Sequence, residues 1–128
     1  MNKELDDLLC QRYPEIFKDR NGGIFETSMN WGFCCGDGWF DIIDGLCADI
    51  TACVAVGSAA SVIASQVKSK SGFLRFHFKD EFGGSGYAPI RNLIRMAQQW
   101  SEHTCEECGR LDVVWHSGAV CASCDARR

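Results

Sequence analysis

Two Cys-x-x-C pairs lie near the end of the chain, Cys105-Glu-Glu-Cys108 and Cys121-Ala-Ser-Cys124, twelve residues apart, with Gly109 directly after the first. A two-residue spacer lets a tight turn aim both sulfurs at one point. Two such turns brought together supply a tetrahedron of thiolates, a soft donor set that favours zinc and fills its coordination shell. The spacing predicts one structural Zn²⁺ held by Cys105, Cys108, Cys121 and Cys124. From about Ser101 to Arg128 the chain has few large apolar side chains, so the metal stands in for a missing core there.

His103 and His116 are the nearby rivals for a ligand position. Other chemistries of paired cysteines fit less well. A redox dithiol wants one pair at a helix N-terminus in a βαβ setting. A zinc deaminase wants an upstream H-x-E, whereas His77, His103 and His116 are followed two places on by Lys79, Cys105 and Gly118.

A chain of 128 residues with 46% hydrophobic and 23% charged residues can bury a core of its own, and has room for one body plus one small module. The division expected is an α+β body over 1–100 and a zinc-binding module over 101–128 packed on it. Nine cysteines behind an acidic N-terminus that does not read as a secretory signal point to metal or free thiols rather than a disulfide framework. The longest weakly charged stretch, Ile50 to Val67, is broken by polar residues and does not read as a membrane span.

Apolar residues Leu5, Leu8, Leu9, Tyr13, Ile16 and Phe17 predict a first helix to about Phe17, with Pro14 near its end. Asp19 to Gly38 reads as a long loop packed back on the core through Phe25, Met29, Trp31 and Phe33. A second helix opens at Asp37 or Gly38 and carries a stripe of Trp39, Ile42, Ile43, Leu46, Cys47, Ile50, Cys53 and Val54. Ala52 to Ala64 fits helix, loop or strand.

Between Val62 and Phe78 the period changes to two, which predicts a hairpin turning at Ser71-Gly72, with Leu74, Phe76 and Phe78 on one face and Phe73, Arg75 and His77 on the other. Glu81 to Gly86 is a glycine-rich loop without the Lys-Ser/Thr of a phosphate cradle. A third helix follows from about Tyr87 to Trp100. The fold class expected is α+β, helices packed on a small antiparallel β-hairpin or sheet, closed by a zinc ribbon or a treble-clef-like knuckle pair.

Charge is unevenly placed on a chain of net −4. Residues 1–50 hold ten acids and four bases, while 51–79 hold four bases and no acid. Asp37, Asp41 and Asp44 make an acidic row opposite the apolar stripe, a candidate surface for a basic partner, as are Glu4, Asp6 and Asp7. Lys68, Lys70, Arg75, His77 and Lys79 gather with Phe73 and Phe76 on the hairpin, a candidate nucleic-acid surface. Cys34 and Cys35 precede Gly36-Asp37-Gly38. They read as small side chains in a tight turn, with a reactive or metal-sensing thiol as the alternative.

The run Trp31-Gly-Phe-x-Cys35-Gly-Asp-Gly-Trp39-Phe-x-Ile-Ile, then Gln66-Val-Lys68-x-Lys70-x-Gly72-x-Leu-Arg75-Phe, then Cys105-Glu-x-Cys108-Gly resembles a family of small phage and prophage zinc-binding proteins. The sequence departs from the family pattern at Cys34, where an acid is common, at the residues flanking Gly72, and at Cys124, where some relatives carry His. Most members have no assigned function, and some similar phage metalloproteins are anti-CRISPR inhibitors. The resemblance implies phage origin and zinc more than activity; no catalytic constellation is visible, and acidity, zinc module and resemblance together lead to the expectation of a non-enzymatic protein in the cytoplasm of the bacterial host that binds a host defence factor, specifically a type II CRISPR effector nuclease. No membrane association and no small-molecule substrate are expected.

Overall fold

The computed structural model describes residues 1–21, 29, 32–79, 84–111 and 120–127. Within them the chain is α+β. Helices α1 (Lys3–Arg12), α2 (Phe40–Ala55), α3 (Ala88–Ser101) and α4 (Ala122–Asp125) accompany strands β1 (Phe33–Cys34), β2 (Ala64–Lys70) and β3 (Phe73–Phe78).

Helix α1 is capped by Asn2, whose side chain accepts from the Leu5 amide, and it ends at Arg12, short of the expected Phe17. Pro14 has no amide hydrogen to continue the ladder and its ring disfavours the helical conformation before it. Ile16 and Phe17 are still buried, carried into the core by the turns that follow.

Helix α2 is entered through a 3₁₀ turn at Asp37–Trp39. It buries Ile42, Ile43, Leu46, Cys47 and Ile50, as the apolar stripe predicts. The ambiguous stretch from Ala52 divides: the helix runs on to Ala55, and Gly57, at φ +78°, closes it with the Ser58 amide donating to the Cys53 carbonyl. Strand β2 then begins at Ala64.

β2 and β3 pair antiparallel with Lys68 opposite Arg75 and Lys70 opposite Phe73. Ser71 and Gly72 both have positive φ, 56° and 80°, the conformation of a two-residue hairpin turn whose twist matches the strands. Leu74 and Phe76 face inward, as expected. The sheet is mixed rather than purely antiparallel, because β1 pairs parallel with the other edge of β2, Phe33 beside Val67. Two residues cannot display a period, so Phe33 and Cys34 read as loop in the sequence.

The core joins Leu9, Phe17, Phe33, Trp39, Ile43, Ile50, Val67, Leu74, Tyr87 and Ile90 in one cluster. Phe17 stands edge-on to Phe33 at 4.9 Å between ring centroids. Helix α3 packs on α2 and β3, and its last residue, Ser101, accepts the Leu74 amide of the edge strand at 3.0 Å. No helix among the described residues is long and apolar enough to cross a membrane.

Candidate metal centre

Cys105, Cys108, Cys121 and Cys124 bring their sulfurs within 4.8 Å of one another, a cluster that can hold one metal ion. Thiolates at about 2.3 Å from a tetrahedral zinc lie about 3.8 Å apart. The Cys108 and Cys121 sulfurs are 3.7 Å apart, so the donor set and its spacing both fit.

The first pair sits on a knuckle. The Cys105 amide donates to the Arg110 carbonyl, the Gly109 amide returns to the Cys105 carbonyl, and Thr104 bridges Leu111. Gly109 takes φ +78°, which a side chain would strain. The second pair stands differently: Cys121 is the N-cap of the four-residue α4 and Cys124 lies inside it. A knuckle facing a helix start is the treble-clef-like of the two expected arrangements.

Backbone amides tune the cluster. Burial pushes the Cys105 thiol up, but amides of Cys121, Cys108 and Glu107 aimed at its sulfur outweigh that and bring it down to about 6. The Cys121 amide lies 3.3 Å from that sulfur. Cys124 goes the other way, pushed up to about 12 by burial and by neighbouring sulfurs. The crowded sulfurs of Cys108 and Cys124, both raised, hold on to protons that a divalent cation would displace. His103 is exposed and is not one of the clustered groups; His116 lies outside the described residues.

The knuckle is built into the body by the turn before α2. The Gly38 amide donates to the Glu106 carbonyl at 2.7 Å, and the indole of the fully buried Trp39 donates to the Thr104 carbonyl at 3.0 Å. The Glu106 carboxylate accepts the Gly36 amide through one oxygen and the Ser69 hydroxyl through the other, both at 3.0 Å. A Cβ at Gly36 would overlap the Glu106 carbonyl, and one at Gly38 the carbonyls of Cys105 and Glu106. The Cys34-to-Gly38 run is thus the seat of the first knuckle, a role that sequence reasoning missed. Its only sequence signal is two glycines around one aspartate before a tryptophan.

The same seat settles how its cysteines are placed. Cys35 is buried and its thiol pushed up to about 12, by burial first, so it is a packed side chain. Cys34 is exposed.

The acidic row expected on α2 is split. Asp37 accepts the Asn2 amide and side chain at 2.7 and 3.0 Å, and Asp44 accepts the Tyr13 hydroxyl at 2.7 Å and Arg12 at 3.0 Å. Both tie α1 to α2. Asp41 is exposed. On α1, Asp6 is buried and pairs with Arg20 at 3.0 Å, so it too serves the fold.

The basic residues do converge. Register places Lys68 beside Arg75, Gln66 beside His77 and Lys70 beside Phe73 on the outward face of the hairpin, with the Arg75 guanidinium 5.9 Å from the centre of the Phe73 ring. Burial and then the charges of Lys68, Arg75 and Lys70 hold His77 below its ordinary value. Phe76 turns inward to the core, and Lys79 pairs with Asp19.

Comparison with known proteins finds no match: no family model fits the chain, and no curated protein and no solved structure matches it.

Proposed function

We propose that this is a zinc-stapled, non-enzymatic binding protein that works by docking on another protein in the cytoplasm of a bacterial host. Four sulfurs close a tetrahedral shell, which suits zinc and leaves it a structural task. The knuckle's carbonyls are spent on the Gly36–Trp39 turn, so the metal serves the frame.

The observation that carries the reading is the outward side of α2, where Asp41 and Asp49 are both exposed on a metal-fixed scaffold of net charge −4. Effector nucleases of CRISPR systems hold nucleic acid in basic channels. An acidic protein is electrostatically suited to such surfaces. Together with the phage-type motifs around Cys35, Lys68 and Cys105, this supports an anti-defence role, with a type II CRISPR effector as the partner. The test is cleavage of target DNA by the guide-loaded nuclease with this protein titrated in. Inhibition saturating near one equivalent, without a shift of free DNA, is expected; undiminished cleavage at several-fold excess would retire that partner.

The hairpin face favours a second reading, a nucleic-acid-binding protein using Lys68, Lys70, Arg75 and His77 around Phe73. It requires a mobility shift of labelled single- or double-stranded DNA at low salt that fades steeply as salt rises.

A further inference from the structure

Between the packed helices α2 and α3 lies an apolar groove of about 340 Å³, lined by Gly45, Leu46, Asp49, Leu93, Met96 and Trp100. On each helix these residues recur at three- and four-residue spacing, so both walls run the length of about two turns. Two of the large apolar side chains here are in solvent: Met96 is 64% exposed and Trp100 46%. Gly45 forms the floor beside Trp100, where a Cβ would come within 3.7 Å of the indole.

The rims are unlike. Asp49 lines the groove on the α2 side, and Asp41, about two turns before it with Gly45 between them, is a second exposed carboxylate at that end of the helix. One step round α3 beyond Met96 stand Asn92, which accepts the exposed Arg95 guanidinium, and the neutral Gln99, so this rim carries no carboxylate. The groove is therefore apolar at the bottom and negative along one edge.

We infer that this groove receives an amphipathic helix of the partner protein, its apolar residues seated against Met96, Trp100 and Gly45 and its Lys or Arg residues set against Asp41 and Asp49. The groove matches the helix-in-groove mode, in which anchors at i, i+3, i+4 and i+7 fill a trough between two helices. Large exposed apolar side chains beside a formed groove mark such sites. Methionine adapts to different anchors, and tryptophan is a frequent source of binding energy at interfaces. The carboxylate edge selects a basic segment and disfavours an anionic membrane surface.

This rests on the protein-binding reading above and needs no nuclease for its test. The probe is a fluorescent amphipathic peptide of leucine and lysine about five helical turns long, with a leucine–glutamate counterpart, followed by anisotropy against the full chain. The lysine peptide is expected to bind and the glutamate peptide not. Met96→Glu should weaken binding by about tenfold or more, as loss of a central anchor does. Asp41→Lys with Asp49→Lys should reverse the preference between the peptides, while Glu4→Lys with Asp7→Lys on α1 should change little. Metal content and circular dichroism report that each variant folds.

Binding indifferent to Met96→Glu, or lost equally with the α1 pair, would overturn the groove as the site. So would sedimentation of the free protein as a dimer that Met96→Glu disperses, since a second copy would then be the occupant. The same variants enter the cleavage assay: peptide binding without nuclease inhibition rejects only the nuclease, and inhibition untouched by Met96→Glu rejects only the groove.

Discussion

The body and the four-cysteine segment are stabilised by different parts of the chain. In the body, side chains from three helices and three strands bury one another, and Trp39, Ile43 and Ile50 have no solvent exposure. Among the described residues of the segment, the buried apolar cluster is three cysteines and Val120. One buried valine contributes about 1.5–3 kcal/mol, which offsets the backbone entropy of about two residues. What the segment gives the body instead is main chain: the carbonyls of Thr104 and Glu106 seat on Trp39 and Gly38. The body is held by side-chain packing, whereas the segment is tied down by backbone hydrogen bonds and the Glu106 carboxylate, and gathers four sulfurs that can hold a metal ion. The two should fail under different insults.

The largest effect should come from the ligands. Cys105→Ser or Cys124→Ser is expected to lose the metal and undock residues 101–128, while the helix and hairpin body survives; a strong chelator should do the same to the wild type. Metal analysis with amide exchange checks this, and stoichiometric metal in both variants would remove the four-cysteine assignment.

The converse break is Ile43→Ala, a cavity in the fully buried face of α2. It should cost about 2–5 kcal/mol in urea unfolding while the folded protein keeps one metal per chain.

Between the two lies the seat itself. Gly38→Ala puts a methyl group into the Cys105 and Glu106 carbonyls, and relief of that overlap should cost about 1–3 kcal/mol. The metal should stay bound, and the amide resonances of Trp39 and Glu106 should move together. An unchanged spectrum would mean that the knuckle does not sit on the turn in solution.

The smallest effect sharpens the electrostatics of the sheet. His77 has its folded pKa below the ordinary 6.5, so its unfolded form binds the proton more readily. The stability it contributes is present above that value and is lost as pH falls through the folded pKa. Proton NMR should find His77 titrating below 6.5, and Lys68→Met should raise it, since the Lys68 ammonium is the largest source of repulsion after burial.

Much of this frame was legible in the residues. The stripe of α2, the inward face of β3, the Ser71-Gly72 turn and the four clustered cysteines all follow from spacing, because helix period, strand period and ligand geometry are local. What spacing could not reach was long-range. β1 exists only because β2 offers it an edge, and Asp37 and Asp44 are engaged because Asn2, Arg12 and Tyr13 came to meet them. The Gly36-Asp-Gly38 turn explained itself only once Glu106 arrived from seventy residues away. The first helix ended early for a local reason already in view, Pro14.

The close approach at Gly36 and Gly38 also says how this protein can change over time. Each position is open to any residue by the standards of its own loop, and each is closed by a backbone carbonyl from the far part of the chain. Tolerance at 36 and 38 is therefore conditional: a mutational scan should find both sites intolerant while the knuckle is seated, and permissive in a background where Cys105→Ser has already released it. The two segments are epistatic, and drift in the turn has to wait for change in the knuckle.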